Sequence, residues 1–144
     1  MNVSDSESAA VDTDELRILL QRVARRIRAN RADGTMSDTQ MGVLFRLENS
    51  PATPSQLAER KRVTPPSMNR TLNALEVAGL VLRSPDPDDA RKVIVTLTPS
   101  GADLIAETRR LRATWFSQRL AELAPDERAT LEAVIPVLRH LSES

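Results

Sequence analysis

Apolar residues recur at helical spacing along most of the chain, and at one place the period shifts to that of a strand. Between Asp14 and Ala32 they fall at Leu16, Leu20, Val23 and Ile27, one stripe of a helix that Asp33-Gly34 should end. Ser37 followed by Gln40 forms a capping box, and a second helix carries Met41, Leu44, Phe45 and Leu47 until Asn49-Ser50-Pro51. Thr53-Pro54-Ser55-Gln56 repeats that start signal for a short third helix with Leu57 and Ala58 facing inward. Thr64 caps a fourth helix with Pro65 at its first position, and Met68, Leu72 and Leu75 lie one turn apart on its inner face. Gly79 stops that helix.

The period then changes. Leu80 to Arg83 and Lys92 to Leu97 read as two strands, the second rich in β-branched residues, joined by the Pro- and Asp-rich turn Ser84 to Ala90. Thr98-Pro99 opens a long helix with Leu104, Ile105, Leu111, Trp115, Leu120 and Leu123. Pro125-Asp126-Glu127 opens a last one with Leu131, Val134, Ile135, Leu138 and Leu141. Pro136 lies inside it and is expected to kink it or loosen a turn. A lone hairpin is not stable by itself and needs the third and fourth helices as support. The expected fold is therefore mainly α with a small β-hairpin wing, a winged helix-turn-helix flanked by terminal helices. Residues 1–13 are expected to form an acidic tail without fixed structure and residues 14–144 one domain, with the winged helix-turn-helix at 37–99.

Composition narrows the chemistry. Aromatic residues make up 2 % of the 144, so the core must be aliphatic, as suits helices packed on helices. There is no Cys, and His140 is the single His, which excludes disulfides, thiolate chemistry and a multi-His metal site; no cofactor is expected. Glycine is scattered and forms no phosphate loop, and adjacent carboxylates such as Asp88-Asp89 lie in polar turns, so an enzyme is not expected. No apolar run approaches the roughly 18 residues of a membrane span, and the start lacks the pattern of a signal peptide, so the expectation is a cytoplasmic protein without a membrane partner.

The formal net charge is zero, but it is unevenly spread. Residues 1–15 carry only acids and residues 16–32 only bases, among them Arg17, Arg22, Arg25 and Arg28. No acid lies between Thr64 and Leu75. With Met68, Leu72 and Leu75 inward, the fourth helix presents Pro65, Pro66, Ser67, Asn69, Arg70, Thr71 and Asn73, a slim face with one long bidentate donor. Such a face suits a major groove, where Arg reads guanine and Asn reads adenine; the bland alternative is an ordinary surface helix. At the wing, Arg91 can reach a minor groove, and Asp89 two residues earlier can pair with it and hold it in position. The alternative there is a solvated turn with a weak ion pair. The DNA-contacting set on this reading is Ser37, Thr53, Ser55, Thr64, Pro66, Ser67, Asn69, Arg70, Thr71, Asp89, Arg91 and Lys92.

Several segments together resemble the MarR family of bacterial regulators: Gln56-Leu57-Ala58, Val63 to Arg70, Leu75-Glu76 with Gly79-Leu80-Val81, Arg83, the Asp89-x-Arg91 wing, and Val95 to Thr98 with Gly101. The resemblance spans nearly the whole chain. It implies a homodimeric regulator of transcription, a repressor with an activator as the alternative, on a pseudo-palindromic operator in double-stranded DNA. It also implies dimerisation through helices at 14–36 and 100–144, with Leu16, Leu20, Val23, Ile27, Leu131, Val134, Ile135, Leu138 and Leu141 at the interface. Two apolar terminal stripes are also hard to satisfy within one small chain. A small organic effector, aromatic or anionic, is implied as well, with Arg25, Met41, Phe45 and Trp115 as pocket candidates; packing or solvation is the other reading for each. A winged-helix adaptor for protein partners is the alternative to DNA binding.

Overall fold

A computed structural model describes residues 10–144. Residues 1–9, most of the expected acidic tail, lie outside the described residues. The elements run α1 (Thr13–Ala29), α2 (Asp38–Asn49), α3 (Pro54–Lys61), α4 (Pro65–Val77), β1 (Val81–Pro85), β2 (Val93–Leu97), α5 (Pro99–Ala121) and α6 (Pro125–Glu143). This is the expected order of four helices, a hairpin and two helices.

Local signals set the helix starts. Asp12, inside the expected tail, caps α1 by accepting from the Glu15 amide at 3.0 Å. Ser37–Gln40 and Thr53–Gln56 close reciprocal capping boxes at α2 and α3, each satisfying two amides that a helix N-terminus leaves open. At the end of α4, Gly79 takes φ +75°. Its amide donates to Glu76 O and the Leu80 amide to Leu75 O, a Schellman closure that turns the chain into β1.

Tertiary contacts moved some boundaries. α1 ends at Ala29, three residues before the expected end, because Asn30 is extended and the following backbone is held elsewhere. The Asn30 carbonyl accepts from Arg112 Nε at 3.1 Å, and the Ala32 amide donates to the buried Thr108 hydroxyl at 3.0 Å. The first strand begins at Val81, not Leu80, whose amide is tied back to Leu75 O at the end of α4. α6 stays helical through Pro136, which removes one amide from the ladder without ending the helix.

The two strands pair antiparallel from Val81↔Leu97 to Pro85↔Val93. Ala52, just before α3, adds a single bridge to Val95 of β2. That bridge ties the wing to the helix-turn-helix. On the other side the Thr98 hydroxyl donates to Gly79 O at 2.6 Å and accepts from the Gly101 amide at 3.1 Å. A Cβ on Gly101 would lie 2.3 Å from Leu80 O, so only glycine lets α5 start this close to β1.

The core is one cluster from Met36 to Ile105, built on Met41, Val43, Leu44, Leu57, Met68, Leu72, Leu75, Val81 and Val95. Neither α1 nor α6 contains a buried residue.

Candidate nucleic-acid interface

α4 turns Met68, Leu72 and Leu75 fully into the core. The opposite stripe, Pro66, Asn69, Arg70 and Asn73, is exposed, with Ser67 and Thr71 half-buried beside it. The hydroxyl of Thr64 accepts from the Ser67 amide at 3.3 Å, and Pro65 needs no amide partner. The side chains of Asn69 and Arg70 make no hydrogen bond or ion pair among the described residues, so both keep their full donor capacity. Arg62, in the left-handed conformation at φ 53° and ψ 43°, forms the tight link that sets α4 across α3.

The wing brings its charged groups together as the sequence predicts. Asp89 Oδ1 accepts from Arg91 Nε and from the Arg91 amide, both at 3.1 Å. These two bonds, side chain first, hold the Asp89 carboxyl below its usual range, so it is ionised at neutral pH. The Arg91 side chain is 91 % exposed while that of Asp89 is 30 % exposed. The acid is tucked in and the guanidinium is presented to solvent from a fixed base.

Between wing and helices lies a notch of about 330 Å³ lined by Pro54, Asn69, Arg83, Ser84, Pro85, Ala90, Lys92 and Val93. It joins Asn69 and Lys92 of the expected set to the start of α3, where Thr53 and Ser55 flank Pro54. Ser37 does not line it; its hydroxyl accepts from the Gln40 amide at 3.1 Å. Arg83 was legible only as part of a family pattern. The structure shows it reaching from β1 to α4, where its Nε meets Glu76 Oε2 at 2.5 Å and its Nη2 donates to Asn73 Oδ1.

The four pocket candidates do not converge. Met41 is 2 % exposed, a core side chain with no surface for a ligand. Phe45 lies under the guanidinium groups of Arg109 and Arg112, 5.5 and 5.0 Å from its ring centre. Arg109 in turn pairs with Glu48 at 2.6 Å. Arg25 is exposed on α1. Trp115 alone of the four lines a cavity of about 370 Å³, which it shares with Leu16, Leu20, Val23, Leu131 and Leu138. Its ring lies between Arg26 at 5.4 Å and Arg119 at 5.5 Å.

Of the expected interface residues, Leu16, Leu20, Val23, Leu131 and Leu138 line that cavity, and most of the expected set is open to water: Leu16 is 45 % exposed, Ile135 51 % and Leu141 59 %. Val134 and Ile27 are half-buried. Among the described residues no helix is long and apolar enough to cross a membrane, and no group of His, Cys, Asp or Glu is placed to hold a metal ion.

Comparison with known proteins gives a consistent match. The family model described as MarR family matches residues 36–93. An uncharacterized HTH-type transcriptional regulator of Mycobacterium bovis is 37 % identical over 133 residues, 92 % of this chain and 93 % of that protein. A mutant MarR from Escherichia coli is 27 % identical with a TM-score of 0.71, covering 87 % of this chain and 93 % of that one. The structure of mutant MarR from Escherichia coli complexed with operator DNA, also 27 % identical, has a TM-score of 0.61, covering 87 % of this chain and 91 % of that one.

Proposed function

The chain belongs to the MarR family and is a DNA-binding regulator of transcription, and from that premise we propose that it acts as a homodimeric repressor on a pseudo-palindromic operator. The family comprises regulators, not enzymes. The observation that carries the reading is the exposed, acid-free face of α4 beside an Arg91 that Asp89 holds outward. Pro66, Ser67, Asn69, Arg70 and Thr71 enter the major groove. The groups at the helix starts, Ser37, Thr53, Ser55 and Thr64, meet phosphates, and Arg91 with Lys92 follows the minor groove. The apolar faces of α1 and α6 meet those of a second copy. That sets two recognition helices about 34 Å apart, one turn of duplex. A small organic effector, aromatic or anionic, releases the DNA; the Trp115 ring and its two guanidinium neighbours supply chemistry suited to such a molecule.

The test begins with selection from random-sequence duplexes by the full-length chain at physiological salt. A palindromic consensus is expected, and retention no better than random DNA contradicts the reading. Arg70→Ala should then cost about 1–3 kcal/mol on the selected duplex and relax one base position. An equal loss on selected and random DNA would assign Arg70 to phosphate alone.

A further inference from the structure

Asn73 continues the exposed stripe of α4, one turn beyond Asn69 and Arg70, yet its side chain is not free as theirs are. Arg83, from the neighbouring strand, forks between the Glu76 carboxylate and the Asn73 side chain. A guanidinium has no acceptor, so only Oδ1 of Asn73 can face it, and the amide cannot flip. Both N–H groups of Nδ2 then point away from Arg83. Glu76 holds the fork from the other side with its side chain 36 % exposed, and the Arg83 side chain is 28 % exposed, so a part-desolvated ion pair anchors the clamp on the exposed Asn73.

This decides what Asn73 can recognise. A free Asn pairs with adenine by donating to N7 and accepting from the N6 amino group. Here one lone pair of Oδ1 is already taken, and the positive guanidinium opposes a second incoming donor. Resting on the DNA-binding reading above, we infer that Arg83 positions Asn73 to meet DNA as a hydrogen-bond donor, at guanine N7 or O6 or at a phosphate oxygen, and weakens the paired contact to adenine, which needs a second donor at the same Oδ1. Asn69, with no such clamp, keeps both options. The wing strand thereby sets the chemistry of the recognition helix, a contribution distinct from the direct contact of Arg91.

The test uses the full-length chain and a duplex that the wild type selects from a random library. If no duplex is selected, the DNA-binding reading fails; the outcomes below concern only the clamp. Asn73→Asp keeps the acceptor for Arg83 and the side-chain shape but removes the donor. It should keep the thermal midpoint and lose about tenfold or more in affinity. Val77→Asp, which places the same charge on the next turn of the stripe, should lose clearly less. Binding by Asn73→Asp equal to wild type, or equal losses in the two variants, overturns the inference. Arg83→Lys retains a cation for Glu76 but cannot fork to Asn73. In that background Asn73→Ala should cost much less than it does alone. A brace that merely stiffens the wing would leave the cost of Asn73→Ala unchanged, and that result also overturns the inference. Duplexes carrying 7-deazaguanine, which lacks N7, 2-aminopurine in place of guanine, which lacks O6, or a single methylphosphonate distinguish the acceptor. One of them should abolish the penalty of Asn73→Ala, and persistence of the penalty on every substituted duplex counts against a donor contact.

Discussion

Leu72 of α4 and Leu138 of α6 both lie on the apolar stripe of an amphipathic helix. Leu72 is fully buried and Leu138 is 40 % exposed. The contrast holds for whole regions. Between Met36 and Ile105 most apolar residues close into one core, with Val77, Leu82 and Val93 left exposed, and the hairpin is bridged to it through Ala52 and Thr98. In α1 and α6 the apolar residues have the same spacing but no covering layer within the chain. Water-exposed apolar area of this extent marks a surface that another molecule covers. The winged helix thus has its own closed core, while the apolar faces of the terminal helices stand open and, on our proposal, are covered by a second copy.

That difference can be broken most severely at α6. Ile135→Asp combined with Leu138→Asp places two charges in the stripe and leaves the winged-helix core untouched. The variant should be monomeric by sedimentation and lose nearly all operator affinity, with its α4 and wing still folded by NMR. A dimer of unchanged affinity would remove the stripe from the interface.

The next effect sharpens the contrast. Leu72→Ala should destabilise by about 2–5 kcal/mol at any protein concentration, because it opens a cavity in a closed core. Leu20→Ala, at an α1 side chain that is 41 % exposed, should shift the thermal midpoint by an amount that changes with protein concentration, since on our proposal its burial depends on association. Identical concentration dependence for the two variants would erase the distinction between the regions.

The smallest effects belong to the wing. Arg91→Ala should weaken operator binding and lower the salt slope by about one phosphate equivalent. Asp89→Ala should also weaken it, although it removes a negative charge next to a polyanion, because the guanidinium loses its anchor. In the double variant, the loss at Asp89 should add little. Tighter binding by Asp89→Ala would show that the pair has no orienting role.

The sequence was legible at most sites where the physics is local, the Asp12 cap of α1 inside the expected tail being the exception. Ser37 with Gln40, Thr53 with Gln56, and Gly79 after Leu75 act within a few residues, and each does what its spacing suggests. So does Asp89 with Arg91. What else escaped depends on contacts distant in sequence. The early end of α1 is fixed by Thr108 and Arg112, and the tight start of α5 needs Gly101 beside Leu80. The Arg83 clamp joins residues on two different elements, so no periodicity reveals it. The pocket candidates lie apart for a related reason. Helical spacing marks Met41 and Phe45 as apolar positions of α2, but only packing shows Met41 sealed in the core and Phe45 covered by Arg109 and Arg112.

The division between a winged helix with its own closed core and terminal helices that, on our proposal, a second copy covers is tested most directly by the mass of the complex on one selected duplex. Native mass spectrometry of the full-length chain with that duplex should give two chains of 15.9 kDa per duplex and no stable single-chain complex. A complex of one chain per duplex, formed with full affinity, would contradict it.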